Sequence, residues 1–377
     1  MRLSALRSFV SDPLLAGPAP VADQRAHPVV EAILRRREEG STPGARRDSM
    51  RIVLAIEGGG MRGVVSAGMA AAIEQLGLTD CFDEVHGASA GAFNGAFLLA
   101  GQAAYVASLY AHGFGNPAFT GVRRVLRGGP VFNLDYVIGE VWRTQRPLRT
   151  DTILGRGIEL HCTATDVDRA ALVDLAELGS DEEIRLALRA SARLPWLAGP
   201  PVAFRDMRLL DATLAEAIPV ASAMSRATHV LVLQTRPHGV THTPLSGAVA
   251  RLTDRYLGGH NPELVRLRQT RSERYDALSA QLQARSADAT AMPAVCVIRP
   301  PAGARSIGQM ENRLSALQAA GAVGMRAAWA ALTGDDPELV GVPRAYTRSQ
   351  TRREAPGDLA PEGVADPPRT AVGVEGL

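Results

Sequence analysis

Lysine is absent: every one of the 41 basic residues is arginine. That excludes a P-loop lysine, a Schiff-base lysine and hydrolases of the Ser-x-x-Lys kind. Cysteine is sparse. Cys81, Cys162 and Cys296 are widely spaced and odd in number, which fits neither a disulfide framework nor a zinc pattern, and they read as buried reduced thiols. An excess of either charge is also missing, since 41 basic and 39 acidic residues leave a formal charge of +2. No strong field draws in nucleic acid, and any preference for a lipid surface must come from local features. No segment approaches the roughly 20 apolar residues of a membrane helix. Near the start, Leu14, Leu15 and Ala16 are interrupted by Pro13, Gly17, Pro18 and Pro20, so no signal-peptide core forms and a cytoplasmic location is expected.

What is present is 46% hydrophobic residues in 377, enough for a sizeable core. Residues 1–48 read as an N-terminal extension with one helical pattern from Pro28 to Arg37, and Arg35, Arg36 and Arg37 as a solvated helix end or a contact for anionic lipid. Residues 49–333 read as the folded domain, and 334–377, rich in Pro, Gly and charge, as a disordered tail. Within the domain, Ile52–Ile56 reads as a buried strand running into glycines and an Ala-rich helix. Phe82–His86 is a second strand before another turn and helix. Further strands are expected at Ile158–Thr163, His229–Gln234 and Ala294–Ile298, with helices at Glu182–Ala192, Leu214–Arg226 and Gly308–Leu332. Alternating strands and helices imply an α/β fold with a mostly parallel sheet covered on both faces.

Two loops carry chemistry. Gly87-Ala88-Ser89-Ala90-Gly91 is a Gly-x-Ser-x-Gly sequence between strand and helix, where a sharp turn projects a nucleophilic hydroxyl and small neighbours allow close packing. Gly58-Gly59-Gly60-Met61-Arg62-Gly63 has the spacing of a dinucleotide-binding turn. The alternative is an oxyanion hole of exposed backbone N–H groups. The second is favoured: neither Asp80 nor Asp83 ends a second strand as ribose recognition requires, and a serine elbow follows within one crossover. For a base, His229, His238, His242 and His260 lie in no motif. Asp211 follows Leu209-Leu210 at a strand end and precedes Ala212-Thr213. It reads either as a base acting directly on the serine or as a helix N-cap. The segments Phe93–Leu99 and Leu194–Val202 read as core or as the lining of an acyl channel.

In order and content, Glu57 to Gly63, Gly87 to Gly91, Arg189-Ala190-Ser191 with Leu194-Pro195, Leu210-Asp211 and Ile218-Pro219-Val220 resemble the patatin-like phospholipases, from about Arg51 to Pro237. The resemblance implies a three-layer α/β/α fold that cleaves lipid acyl esters through an acyl-enzyme, by a Ser-Asp dyad without histidine, metal or cofactor. It assigns Ser89 as nucleophile, Asp211 as its base, and the Gly58–Gly63 loop as oxyanion site, with Gly59, Gly60 and Gly63 as donors and Arg62 holding the loop. The implied partner is a lipid or acyl-ester substrate, with peripheral membrane contact, no nucleic acid and no stable protein partner. One departure stands out. The family's third motif is usually Asp-Gly-Gly or Asp-Gly-Ala, whereas Ala212 and Thr213 follow Asp211 here, so strain beside the base is expected if that position needs a positive φ. A catalytically silent member of the fold, or less readily a nucleotide-binding oxidoreductase, is the alternative function.

Overall fold

The computed structural model describes residues 23–112, 129–145, 147–242 and 245–335. These belong to one unit, Met1–Val340; a second, Gly341–Leu377, lies outside the described residues, as do the expected tail beyond Asp335 and residues 1–22. In chain order the elements that position the site are α1 (Pro28–Glu38), β1 (Ile52–Ile56), α2 (Val64–Gln75), β2 (Glu84–Ala88), α3 (Ala90–Leu99), α4 (Ala103–His112), α5 (Thr150–Gly155), β3 (Glu159–Asp166), β4 (Ala171–Leu175), α6 (Asp181–Ser191), β5 (Val202–Phe204) and β6 (Met207–Leu210). There follow α7 (Val220–Arg226), β7 (His229–Leu233), α8 (Gly247–Gly258), α9 (Pro262–Ser286), β8 (Ala294–Ile298) and α10 (Leu314–Thr333).

The strands form an eight-stranded sheet in the order β5-β6-β3-β2-β1-β7-β8, with β4 also paired to β3. From β3 to β8 every pairing is parallel; β4, β5 and β6 add an antiparallel edge. Parallel strands need both faces covered, which is why β1 is buried at all five positions. On one face, Val53, Ala55, Val230, Val232, Val295 and Val297 pack with Val220 and Ala223 of α7 and Tyr275 and Leu282 of α9. On the other lie α2, α3, α4 and α10, with α2 and α10 in close contact at glycines: a Cβ on Gly324 would stand 2.0 Å from the Val65 carbonyl oxygen. The result is a mostly parallel three-layer α/β/α fold. The order reverses at β1, whose neighbours are β2, the next strand in sequence, and β7, which follows only after β6. Ligands of such sheets bind beyond the strand carboxyl ends at this reversal.

Beyond shifts in element bounds, such as the last helix starting at Leu314 instead of the expected Gly308, two expectations change. Leu214–Arg226 is not one helix. Residues Ala212–Leu214 make a single tight 3₁₀ turn and α7 starts only at Val220, because Pro219 cannot donate the hydrogen bond a continuous helix needs. Arg36 is not a solvated helix end. It is fully buried, with its guanidinium on Asp48 and Asp83 at 2.8 Å and on the carbonyls of Cys81 and Met50, while Val29, Val30 and Ile33 of the same helix enter the core. Removing one member of a buried, fully hydrogen-bonded ion pair strands the others. Arg36→Ala is therefore expected to lower unfolding stability by about 3 kcal/mol in urea titration, against little change for Arg37→Ala, which is exposed. The three cysteines are free and buried, and burial raises the Cys81 thiol to about 11 and Cys296 to about 12.

Candidate active site

Ser89 occupies the single residue between β2 and α3, with φ 53° and ψ −119°. A side chain other than glycine is strained there, and such strain persists only where the surroundings enforce it. Here two contacts do so. A Cβ on Gly87 would come within 2.4 Å of the Ala92 backbone nitrogen, and one on Gly91 within 2.1 Å of the Ile56 carbonyl oxygen, so the turn closes tightly against both helix and neighbouring strand only with glycine at each position. The Ser89 backbone N–H donates to Ser191 Oγ at 2.8 Å, tying the elbow to the last residue of α6. The sequence had marked Ser191 within a motif without giving it a task.

The glycine loop leaves β1 beside the elbow. Its backbone amides are unequally free. Gly58 N–H donates to the Ala217 carbonyl at 2.9 Å, Met61 N–H to Gln309 at 3.0 Å and Arg62 N–H to Gly59 at 3.1 Å. The six-residue oxyanion expectation thus narrows, because Gly58, Met61 and Arg62 have spent their donors. No bond from the Gly59 or Gly60 amide occurs among the described residues. Ala90 and Gly91 begin α3, where amides have no intrahelical acceptor.

The loop is held from beneath by residues the motif alone did not reveal. The buried Glu57 accepts from Thr235 N–H at 2.5 Å and from the Tyr275 hydroxyl at 3.0 Å, and faces Arg62 at 3.6 Å. Arg62 Nε donates to Thr235 Oγ1 at 2.9 Å. Asn94 on α3 donates to the Gly63 carbonyl and to Ser66, each at 2.9 Å. Burial lowers the Arg62 pKa and, with the neighbouring Glu57 charge, drives that of Tyr275 upward.

Asp211 follows β6 directly and is completely buried. Its Oδ1 accepts from Thr213 N–H at 2.8 Å and from the Thr213 hydroxyl at 2.5 Å, so it does cap the 3₁₀ turn. Its Oδ2 has no fully formed hydrogen bond among the described residues. Burial raises the Asp211 pKa above 3.8, and Thr213, the Ser89 hydroxyl and the Arg271 charge pull against that rise. The pull from Ser89 means that its hydroxyl lies close enough to interact with the Asp211 carboxylate. The strain expected at Ala212 does not arise: Ala212 opens a right-handed 3₁₀ turn and is not among the residues with positive φ. An alanine fits there as well as a glycine.

Other candidates fall away on geometry. Asp83 accepts from Ile52 N–H at the amino end of β1 and Asp80 pairs with Arg156, both at the opposite end of β1 from the glycine loop, so neither reads a ribose beside it. Among the described residues no histidine hydrogen-bonds to Ser89 or Asp211. Glu84, His86 and His161 bring ligand-type atoms within 4.8 Å of one another in the core. However, the two imidazoles stack with centroids 4.0 Å apart and only 13° between planes. A cation sits in the plane of each ring that binds it, and nearly parallel planes share no such point. Glu84, Ser222 and Asp174 satisfy the ring nitrogens instead, at 2.7, 3.0 and 2.8 Å.

A strained serine elbow, a glycine loop with two amides left unbonded and a buried carboxylate lie at the reversal point of the sheet in this α/β/α protein. Residues 54–224 match the family model of patatin-like phospholipases. The chain is 29% identical over 199 residues to the uncharacterized Escherichia coli K12 protein YjjU, covering 52% of this chain and 54% of that one. It thus spans about half the length of the curated relative it matches. Among solved structures, VipD from Legionella pneumophila is similar with a TM-score of 0.37 and 12% identity, over 76% of this chain and 67% of VipD. No helix among the described residues is long and apolar enough to cross a membrane.

Proposed function

We propose that this protein is a serine acyl hydrolase that cleaves carboxylic esters of lipids through an acyl-enzyme, with Ser89 as nucleophile and Asp211 as base. The observation that carries this reading is the division of labour within one buried carboxylate. Thr213 holds Oδ1 with two hydrogen bonds and Oδ2 is left without a partner, while the carboxylate interacts with the hydroxyl of Ser89 in an enforced positive-φ turn. Ser89 Oγ attacks the ester carbonyl carbon as its proton passes to Oδ2. The oxyanion that forms takes hydrogen bonds from Gly59 and Gly60, and collapse expels the alcohol with the proton from Asp211. Water, deprotonated by Asp211, then attacks the acyl-enzyme and releases the carboxylic acid and Ser89.

Labelling with a fluorophosphonate, followed by peptide mapping, tests the nucleophile: the adduct is expected on Ser89 and lost in Ser89→Ala. An adduct elsewhere, or labelling that survives in Ser89→Ala, would refute the proposal. The base makes a further prediction. Asp211 must be ionised to act, and burial holds its pKa above 3.8, so kcat/KM rises with pH through a limb above the ordinary carboxylate value. The Thr213 hydroxyl opposes that rise. Thr213→Val should move the limb to higher pH and cost roughly tenfold on its acidic side, since a hydrogen bond to a charged group contributes about 1.5–3 kcal/mol. Thr213→Ser should restore the limb.

A further inference from the structure

Two arginines near the site stand without a hydrogen-bond acceptor among the described residues. Arg236, three residues beyond the end of β7, is buried to 6% exposure, and Arg271 lies on α9 one turn before Tyr275. Neither donates a hydrogen bond to, or ion-pairs with, any described residue, and the Nε of each is buried without an acceptor. Arg236 lies over the Tyr275 ring, 4.8 Å from its centroid, and Tyr275 in turn bonds Glu57 under the glycine loop. Residues 271 and 275 share a helix face, and the next residue, Ser272, bonds His242 in the loop that Arg236 begins. Both guanidiniums therefore gather where β7 and α9 meet, at the carboxyl edge of the sheet that also carries Ser89 and the glycine loop. Arg271 interacts electrostatically with Asp211, and repulsion from Arg62, Arg236 and Arg274 adds to burial in lowering its pKa to about 10.

The contrast with neighbouring arginines is informative. Arg299 is spent on the carbonyls of Arg236 and Pro237, and Arg274 on those of Ala215, Leu214 and Leu267. Arg62 is spent on Thr235 and Glu57. Those are structural. Arg236 is buried and Arg271 half-buried, and each keeps a buried Nε without an acceptor, a cost that native proteins tolerate where a ligand completes the group. Glu57 and Asp211 are the carboxylates in this group, and Glu57 is already committed to Thr235 and Tyr275.

We propose that Arg236 and Arg271 form an anion subsite beside Ser89 and Asp211 that takes an oxyanion group, phosphate or carboxylate, carried by the ester substrate. This rests on the hydrolase reading above and adds the charge of the substrate to it. Planar guanidiniums suit both groups, which accept paired hydrogen bonds. The subsite would hold a substrate by a charge remote from the scissile carbonyl.

Binding and turnover test it separately. Calorimetric titration of full-length Ser89→Ala with inorganic phosphate and with acetate reads the subsite without catalysis. Saturable binding of at least one is expected, weakened tenfold or more by adding Arg271→Gln or Arg236→Gln and partly restored by lysine at the same position. The second measurement is kcat/KM for three soluble butyrate esters, one bearing a phosphate, one a carboxylate and one neutral. The charged-to-neutral ratio is expected to fall tenfold or more in each glutamine variant, and whichever charged ester loses more identifies the group. If Arg236→Gln fails to fold, Arg271→Gln, on the more open helix, decides. Anion binding and ester ratios unchanged in the folded variants would overturn the subsite. Absence of ester turnover with arginine-dependent anion binding intact would instead overturn the hydrolase reading and leave the subsite standing.

Discussion

Asp211→Asn is expected to reduce ester turnover by about 10⁴-fold while making the protein more stable at neutral pH. The asparagine carbonyl can still accept both Thr213 bonds at Oδ1, so the 3₁₀ turn keeps its cap. The other terminus becomes an N–H donor and can no longer take the Ser89 proton. The stability change follows from linkage. Burial raises the native pKa of Asp211 above 3.8, so between the unfolded and native values the folded protein binds a proton that the unfolded chain does not. Stability is then lost as pH rises through that window and is not recovered above it. An asparagine carries no such loss. The gain of Asp211→Asn over wild type should accordingly be absent well below pH 3.8, appear as pH rises through the window and persist at neutrality. Urea titrations across pH with ester kinetics on the same samples check both halves. Turnover within tenfold of wild type would eliminate Asp211 as base, and a variant destabilised at neutral pH would show that its carboxylate is structural.

This pairing of lost activity with gained stability separates two roles that the sequence left open for Asp211, base and N-cap. The two descriptions are compatible because Thr213 occupies one oxygen and the other is left without a hydrogen-bond partner. Sequence reading reached the elbow and the glycine loop because each is local. A glycine-flanked serine between a strand and a helix needs only a few consecutive residues to be seen, and the continuous apolar runs of β1, β7 and β8 exposed the parallel part of the sheet. What stayed hidden was either irregular or long-range. The antiparallel edge is made of short strands, β4 mostly half-exposed, and its β5–β6 hairpin turns through Arg205 and Asp206, both at positive φ without a glycine to announce them. Helix α9 buries few of its residues, so its polar sequence gives a weak stripe. Glu57 meets Thr235 and Tyr275 across 178 and 218 positions, and no local pattern encodes such pairings. Arg36 was misread for a similar reason: a run of three arginines looks solvated until distant Asp83 closes over its middle member.

Gly58→Ala is expected to lower kcat/KM by about 10²-fold or more, even though position 58 has no need of a left-handed backbone and donates nothing to the oxyanion. The reason is distance. A Cβ at this position would stand 2.4 Å from the Ala88 carbonyl oxygen and 3.2 Å from the Ser89 Cβ. The first contact is with backbone in a central strand paired on both sides, so it cannot swing aside as a side-chain tip would. Relief must come from parting the glycine loop and the elbow. That separation moves the Gly59 and Gly60 amides away from the position where the oxyanion forms, and a displacement of about 1 Å suffices for the stated loss. Overpacking also costs about 1–3 kcal/mol of stability. The comparison variant is Gly155→Ala, where an added Cβ meets nothing within 4 Å; stability there should stay within about 1 kcal/mol of wild type and kinetics should not change. A Gly58→Ala protein that folds and retains full turnover would mean that loop and elbow need not be in contact for the chemistry. One that loses turnover yet still labels at Ser89 with fluorophosphonate would locate the defect in oxyanion stabilisation of the ester, since the elbow serine itself would remain reactive.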